Sequence, residues 1–143
     1  MEKILISACL VGENCKYNGG NNLHSKIDDL LEKYDLIPFC PEERGGLPTP
    51  RNPSEIKGDR VVMNNGKDVT DNFNNGAQLA LMLCLYLDIK IAVLKERSPS
   101  CGTHQVHDGS FKEKLIDGMG VTAKLLKENG IQVYSEDEID KLL

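Results

Sequence analysis

Residues 89–94 read IKIAVL, and this apolar run, rich in β-branched residues, is the clearest predicted strand of the chain. A run of this length and composition is typical of a strand that is buried on both faces. Two further runs share its character, KILISA at Lys3–Ala8 and the shorter LIPF at Leu36–Phe39. A fourth predicted strand, Ile131–Tyr134, lies near the end of the sequence.

Helical patterns separate these predicted strands. Leu23–Tyr34 carries apolar residues at a helical period, with Asn22 in position to cap it. A longer helix begins near residue 70 and ends at Leu87, and its second half is apolar nearly all round, which predicts a buried helix. Val121–Asn129 is the third predicted helix. Strand–helix alternation of this kind predicts an α/β fold, a three-layer, Rossmann-like, mostly parallel sheet flanked by helices, in a single domain over residues 1–143.

The connecting segments are long and unusually rich in glycine and proline. Pro41–Gly58 shows no periodicity, and a stretch of this length without regular structure is usually functional. Arg60–Met63 and Lys67–Val69 predict a β-hairpin, because the Asn-Gly pair between them suits a tight turn. Lys95–Gly120 is a second long loop. After the last strand, Ser135 and Glu138 form the sequence pattern of a capping box for a short final helix.

Composition and charge narrow the class of partner. The 143 residues carry a formal net charge of −5 with no basic cluster, so DNA or another polyanion would release few counterions on binding. A small substrate is therefore expected. No apolar run is long enough to cross a membrane, and the first residues do not resemble a signal peptide, so we expect a cytoplasmic protein without membrane contact. In that compartment the five cysteines should be reduced thiols.

Three of these cysteines follow predicted strands. Cys9 follows the first strand, Cys40 follows the second, and Cys101 lies in the loop after the central one. Ligands of open parallel sheets bind at the carboxyl ends of the strands, so these thiols should converge on one edge. Cys15, in the first loop, could reach the same place or be structural. Cys84 lies within an apolar helical run and is predicted to be a core residue.

Converging thiolates predict a metal centre. Structural zinc usually uses paired Cys-x-x-Cys sequences, and none is present here, whereas iron–sulfur clusters accept dispersed cysteines. Spacing alone does not decide between these two cofactors. A site with only three thiolates would leave one iron open as a Lewis acid, as catalysis requires.

Polar residues beside the cysteines favour catalysis over a purely structural role. Glu42 could act as a general base, and Ser98 or Ser100 could bind a ligand or simply shape a turn. Arg51 could clamp a ligand oxygen, although an Arg in such a position more often pairs with an acid, here Glu55. Two histidines three residues apart after Cys101 are further metal-ligand candidates: His104 and His107.

Three segments of the sequence, taken together, resemble the motifs of the TudS-like thiouracil desulfurases, a bacterial family long known only as a domain of unknown function. The first is Ser7–Gly12 (SACLVG), followed by Cys15–Gly19 (CKYNG). The second is Cys40–Arg51, with CPE at its start and GGLP within it, and the third is Ser98–Gly102 (SPSCG). Each motif is weak alone, but three in this order and spacing are specific. One departure is KYN at residues 16–18, where RYD is the commoner form.

The resemblance implies a cofactor and a reaction. The cofactor would be a [4Fe–4S] cluster bound by three cysteines with one open iron, and the ligands by position would be Cys9, Cys40 and Cys101. Whether Cys15 replaces one of them stays open. The reaction would be the redox-neutral conversion of thiouracil and water into uracil and sulfide, with Glu42 and one serine of the Ser98–Ser100 turn assisting.

Two other readings of the same residues compete with this enzyme. One is a zinc- or cluster-binding module with a structural or sensing role, which would need no base near the metal. The other is a thiol-based sulfur carrier that uses Cys9 or Cys101 as its nucleophile. The lack of a Cys-x-x-Cys pair and of nearby cations that would lower a thiol pKa disfavours the carrier.

Overall fold

A computed structural model describes all 143 residues of the chain. The strands are β1 (Lys3–Ser7), β2 (Asp35–Phe39), β3 (Ser54–Lys57), β4 (Arg60–Met63), β5 (Ile91–Leu94), β6 (Gln105–His107), β7 (Leu115–Asp117) and β8 (Gln132–Ser135). The α-helices are α1 (Ile27–Lys33), α2 (Pro41–Arg44), α3 (Thr70–Leu87) and α4 (Val121–Glu128). Two 3₁₀ segments, Ala8–Val11 and Glu136–Leu142, complete the regular structure.

Four parallel strands form the central sheet in the order β2-β1-β5-β8. Alternate residues of β1 point to opposite faces of this sheet, and they are buried in two different clusters. Ile4 and Ile6 pack with Leu30 of α1 and Ile139 of the last 3₁₀ segment. Leu5 packs with residues of α3 and α4. The sheet is thus covered on both sides, which confirms the predicted α/β architecture of a parallel sheet flanked by helices.

The first helix is shorter than predicted. It begins at Ile27, and Leu23 is 64% exposed instead of lying on a helical face. Residues 22–24 instead bond to the turn that follows β1. The Asn22 amide donates to the Cys9 carbonyl at 2.9 Å, and the His24 amide donates to the Leu10 carbonyl at 3.0 Å. Asn22 is therefore not the N-cap. These bonds tie the first loop to the turn that carries Cys9.

The segment predicted to lack regular structure contains two elements. Pro41 occupies the first turn of α2, where its missing N–H is no loss. The strand β3 pairs antiparallel with β4 across the short turn at Gly58, and this pairing was not predicted. The predicted partner, Lys67–Val69, also contacts β4: the Met63 amide donates to the Lys67 carbonyl at 2.8 Å, the Val69 amide donates to the Val61 carbonyl at 2.9 Å, and Val62 forms an antiparallel bridge with Asp68. The turn at Gly58, where φ is +60°, has the left-handed backbone that glycine favours.

Helix α3 is not buried on all sides. Its inward face packs against the sheet through small residues, Ala80 and Cys84, and its first half is buried through Phe73. On the opposite face Leu85 is 66% exposed and Tyr86 is 86% exposed. The prediction of a fully buried helix was therefore wrong, because composition does not reveal that only one face has a partner. The core position predicted for Cys84 is confirmed.

The remaining differences lie at the ends of elements and in the second long loop. That loop contains the antiparallel pair β6–β7, which its composition did not predict. The capping box of Ser135 and Glu138 is present, but the segment it starts is a 3₁₀ helix.

At one edge of the sheet, Pro38 of β2 pairs with Ile6 of β1 and is exposed. None of the helices has the length and apolar character needed to span a membrane.

Candidate active site

A pocket of about 550 Å³ opens at the carboxyl ends of β1, β2 and β5. Seven of the candidate residues from the sequence line it: Cys9, Cys15, Cys40, Glu42, Ser98, Ser100 and Cys101. We call these seven residues the sheet wall. Residues of the β3–β4 and β6–β7 regions line the same pocket, and we call five of them the hairpin wall: Ser54, Glu55, Asn64, His107 and Phe111.

The ends of three strands position the cysteines. Cys9 lies in the 3₁₀ turn that follows β1 directly, and Cys40 stands between β2 and α2. Cys101 follows β5 after a short loop. Because β1 lies between β2 and β5 in the sheet, three separate stretches of sequence meet at one edge. All five cysteines of the chain are free thiols.

Cys15 sits between two of these thiols and changes their protonation. Its hydrogen bond to Cys9 lowers the pKa of Cys9 to about 7, against the raising effect of burial. The pKa of Cys40 is also lowered, first by Cys15 and then by the backbone N–H of Glu43 in the first turn of α2. The pKa of Cys15 itself is raised because it donates to both neighbours. Of the three thiols Cys9, Cys15 and Cys40, Cys15 is thus the one that keeps its proton.

Cys101 lies deepest in the group. Burial raises the pKa of its thiol to about 12, although hydrogen bonds from Ser7 and Ser100 act in the opposite direction. The Ser100 hydroxyl is 3.5 Å from the Cys101 sulfur. The charges of Cys9 and Cys40 also raise the pKa of Cys101, so all three sulfurs share one electrostatic environment. A cation placed among them would favour the thiolate form of each.

Glu42 is held between a cation and a hydroxyl. Its Oε1 accepts from Arg51 Nε at 3.2 Å, and its Oε2 accepts from the Ser100 hydroxyl at 2.9 Å. The Arg51 guanidinium also donates to the Cys15 carbonyl at 2.9 Å. The partner expected for Arg51 from the sequence, Glu55, was therefore wrong, since the nearby acid in the fold is Glu42. Arg51 fixes the carboxylate beside the thiols.

The two serines continue this chain of contacts. The Ser98 and Ser100 hydroxyl oxygens are 2.9 Å apart. Ser98 Oγ accepts from the amides of Ser100 at 3.2 Å and Cys101 at 3.1 Å, which leaves its proton free to donate to Ser100. The path Ser98–Ser100–Glu42 is a continuous line of hydrogen-bonded oxygens. Ser100 is buried, whereas Ser98 is half-buried in the pocket lining.

A buried carboxylate that the sequence did not reveal organises this loop. Glu96 accepts from the amides of Thr103, His104 and Gln105 at 2.9, 3.0 and 3.1 Å, and from the Thr103 hydroxyl at 2.8 Å. Burial alone would raise its pKa, but these bonds and the contact with the His104 ring lower it to about 2. In the sequence, only the position of Glu96 soon after the central strand could have indicated that it has a role in this loop.

The two histidines proposed as further ligands do not come together as a metal pair. The His104 ring contacts Glu96 at 3.0 Å and Glu138 at 3.5 Å, and it is absent from the pocket lining. His107 lines the pocket from the hairpin wall. The two histidine candidates therefore lie apart. His107 lines the pocket, whereas His104 contacts the carboxylates of Glu96 and Glu138.

The donor set of the sheet wall fits an iron–sulfur cluster. Its candidate ligands are sulfurs, and soft thiolate donors select iron–sulfur clusters, copper(I) or zinc over hard cations. A carboxylate oxygen of Glu43 lies within 4.8 Å of the sulfurs of Cys15 and Cys40. Glu43 is exposed, however, and it accepts a hydrogen bond from the Thr49 hydroxyl, so the thiols are the better ligands.

Thiols, a fixed carboxylate and a serine pair at the carboxyl edge of a parallel sheet define an α/β enzyme with a thiolate-bound metal centre. Residues 4–138 match the family described as 2-thiouracil desulfurase. The Uncharacterized protein YbbK of Bacillus subtilis (strain 168) is 39% identical over 150 residues, which cover 98% of this chain and 99% of that protein.

A solved structure gives the same result. It is described as the [4Fe-4S]-dependent thiouracil desulfidase TudS, and it is 46% identical with a TM-score of 0.94, over 99% of this chain and 95% of that one. The chain belongs to the 2-thiouracil desulfurase family.

Proposed function

We propose that this enzyme removes sulfur from thiouracil at a [4Fe–4S] cluster bound by Cys9, Cys40 and Cys101, with Glu42 as the base that activates water. Thiouracil desulfuration and dependence on an iron–sulfur cluster follow from the family and from the solved relative. The three ligands and the roles of Glu42 and the serines are proposals about this chain. One observation carries them: a carboxylate fixed by Arg51 lies one hydroxyl away from the buried Cys101.

The choice of three cysteines among four rests on protonation for two of them and on position for the third. Ligand cysteines must lose their protons, and Cys9 and Cys40 have the lowered pKa values. Cys15 is the donor that lowers them, so we assign it to hydrogen bonding toward the ligand sulfurs. Burial raises the pKa of Cys101, and we assign it as the third ligand because it follows β5 at the same edge of the sheet and lines the pocket with Cys9 and Cys40.

The reaction needs only water in addition to the substrate. A C–O bond forms to the oxygen of water, the C–S bond breaks, and both protons of water end on the departing sulfide, so nothing is oxidised or reduced. When bound, the cluster supplies an open, Lewis-acidic iron for the sulfur atom. Glu42 takes the first proton from water, since a carboxylate within hydrogen-bond reach of water can act as a general base.

The serine line holds Glu42 in place. Ser100 donates to Glu42, and Ser98 donates to Ser100 across 2.9 Å. Ser98 is the half-buried end of this line. We therefore assign contact with substrate to Ser98 and the connecting role to Ser100. Arg51 keeps the carboxylate in place and stays positively charged throughout.

The substrate is a small thiolated base or nucleoside rather than DNA. The net charge of −5 offers no electrostatic attraction to a nucleic-acid backbone, and the pocket has a volume of about 550 Å³. We place the enzyme in the cytoplasm, where five unbridged cysteines persist as thiols, and without a membrane partner.

Anaerobic reconstitution followed by assay tests the proposal. The purified chain should bind about four irons and four acid-labile sulfides and turn brown, as a cuboidal cluster requires. It should then convert 2-thiouracil into equal amounts of uracil and sulfide without added reductant. Stoichiometric zinc with no visible absorbance, or sulfide release that needs an electron donor, would overturn it.

A further inference from the structure

One residue of the hairpin wall has an unusual backbone. Phe111 lies in the loop that connects β6 to β7, and its φ is +58°. A bulky residue rarely adopts this left-handed conformation, because its Cβ crowds the backbone. Such residues persist where surrounding contacts hold them, and they concentrate at ligand sites.

The contact that holds Phe111 is a buried carboxylate. Glu55 Oε1 accepts from the Phe111 amide at 3.1 Å and from the Gly109 amide at 3.0 Å. Glu55 is 9% exposed, and its hydrogen bonds go to these two amides, while the cation Arg51 is paired with Glu42. A carboxylate removed from water to fix two amides of one loop serves the geometry of that loop.

The loop also lies in close contact with β3. Gly109 has φ of +92°, and a Cβ at this position would lie 2.7 Å from the Ile56 carbonyl oxygen. Asp108 Oδ1 accepts from the Ser110 amide at 2.9 Å, which tightens the same turn. These constraints determine where the Phe111 ring stands in the pocket lining.

Phe111 is the aromatic residue best placed to meet a ligand. Three aromatic residues line the pocket. One of them, Phe39 of β2, is buried in the hydrophobic core. Tyr17 is 45% exposed on the first loop. Phe111 alone is both half-buried and fixed by a buried partner. Because Phe111 is only partly buried and lines the pocket, part of it is accessible to a ligand.

We propose that Phe111 is the surface on which the pyrimidine ring of the substrate stacks, and that Glu55 is the positioning residue for Phe111. This inference rests on the proposed function, which supplies a planar heterocycle as substrate. Base–aromatic stacking is tolerant of substituents, because every nucleobase has a π-face. The stacked ring would place its C–S bond toward the sheet wall, where the thiols and Glu42 line the pocket.

Steady-state kinetics of the cluster-loaded enzyme test the stacking. Phe111→Ala should raise the KM for 2-thiouracil by about 5- to 150-fold with kcat little changed, the usual effect of removing one stacking partner. Phe111→Tyr should restore the KM, and Phe111→Leu, which fills similar volume without a π-face, should not. Iron content should be the same in all variants. A wild-type KM for Phe111→Leu would overturn the stacking role.

A fluorescence measurement gives a readout independent of turnover. The chain contains no tryptophan, so Phe111→Trp introduces a single indole. Uracil should quench its emission in a saturable manner, whereas the emission of the control variant Tyr86→Trp, on the outer face of α3, should not change. Quenching should be measured before and after cluster loading. Absence of saturable quenching in the Phe111→Trp variant would overturn the proposal.

The role of Glu55 is tested by a double-mutant cycle. Glu55→Ala should raise KM as Phe111→Ala does, and Glu55→Gln, which keeps an acceptor oxygen, should rescue most of the loss. In the Phe111→Ala background, Glu55→Ala should add little, because both act on one contact. Additive effects would overturn the positioning role. If wild-type enzyme released no sulfide while uracil still quenched the indole, the proposed reaction would fail and the stacking surface would stand.

Discussion

The two walls of the pocket are built in different ways. The sheet wall stands on strands of the central sheet, and its residues follow β1, β2 and β5 within a few positions. The hairpin wall stands on two small two-stranded sheets outside the central sheet. One wall inherits its geometry from the two apolar clusters around the central sheet. The other stands on a smaller apolar cluster that includes Val61 and Met63 of β4, and its β6–β7 loop is held by polar contacts of Glu55.

In the roles that we propose, this difference separates chemistry from recognition. Thiolate ligands and a general base need fixed geometry, which strand ends in a packed core provide. A surface that accepts a planar substrate tolerates small movements, so a loop held by a carboxylate is sufficient. Damage to the sheet wall should therefore reduce the cofactor or kcat, and damage to the hairpin wall should change KM.

The largest effect should come from the ligands. Cys9→Ser, Cys40→Ser and Cys101→Ser should each abolish both the bound iron and the turnover, because a hydroxyl is a poor substitute for a thiolate at iron. Cys84→Ala, in the core of α3, is the matched control and should keep both. Cys15→Ala should also keep iron. Iron and sulfide assays after anaerobic loading decide the outcome, and loss of iron in Cys15→Ala would place Cys15 among the ligands.

Glu42 should affect the rate without affecting the cofactor. Glu42→Gln should lower kcat by about 10²- to 10⁴-fold, the usual contribution of a positioned general base. Its visible spectrum should stay that of the wild-type enzyme, since an amide keeps the shape of the side chain. Normal turnover in this variant would show that another group activates water, and loss of colour would assign Glu42 to the metal site.

The serine line should show a smaller effect. Ser100→Ala and Ser98→Ala should each lower kcat by about 10- to 100-fold, as loss of a hydrogen bond to a charged or reacting group does. The double variant should be close to either single variant, since the two hydroxyls act in one line. Effects that multiply in the double variant would mean that the serines act separately.

Gly109 offers a way to disturb the hairpin wall alone. Gly109→Ala places a Cβ against the Ile56 carbonyl and strains a left-handed residue, so the loop must shift. We expect an increase in KM of about tenfold, within the range for one stacking contact, with iron content unchanged. Gly19→Ala is the control, because φ is also positive there but no atom lies near the added Cβ. Loss of iron in Gly109→Ala would break the distinction between the walls.

The smallest effect at neutral pH concerns Glu96. Its folded-state pKa of about 2 lies below the ordinary value of 4.5, so it contributes stability that is fully present above 4.5 and is lost as the pH falls toward 2. Glu96→Gln should remove this acid-dependent part, so its unfolding free energy should change less across that window than that of the wild-type protein. Thermal or urea unfolding between these pH values measures the difference. Parallel curves would show that Glu96 carries no such contribution.

The sequence predicted the sheet wall better than the hairpin wall. The placement of Cys9, Cys40 and Cys101 followed from a single rule about parallel strands, because each cysteine comes soon after an apolar run. No comparable rule links Glu55 to Phe111, since their contact joins residues far apart in sequence through one backbone amide. This contact forms only when the β3–β4 and β6–β7 hairpins lie side by side, and the sequence does not indicate that arrangement.

Other differences have similar causes. Arg51 was paired with Glu55 because the two are near in sequence, but the turn into α2 brings Glu42 closer. The apolar composition of the second half of α3 predicted a buried helix, but Leu85 and Tyr86 are exposed. Only the face that packs against the sheet is buried, and composition does not show which face that is. Periodicity describes an element, whereas the partner of each face depends on the whole fold.

Pro38 has a consequence for the behaviour of the protein in concentrated solution. It is an exposed residue of β2, an outer strand of the central sheet. The Asp35 amide of this strand donates toward β1, to the Glu2 carbonyl, so by alternation the backbone nitrogen of Pro38 faces the outer edge. An outer strand with a complete row of free N–H groups would act as a template for strands of other molecules, and proline interrupts that row. The thiol pocket opens at the end of this same strand, so strand addition by a neighbouring copy is disfavoured beside the pocket.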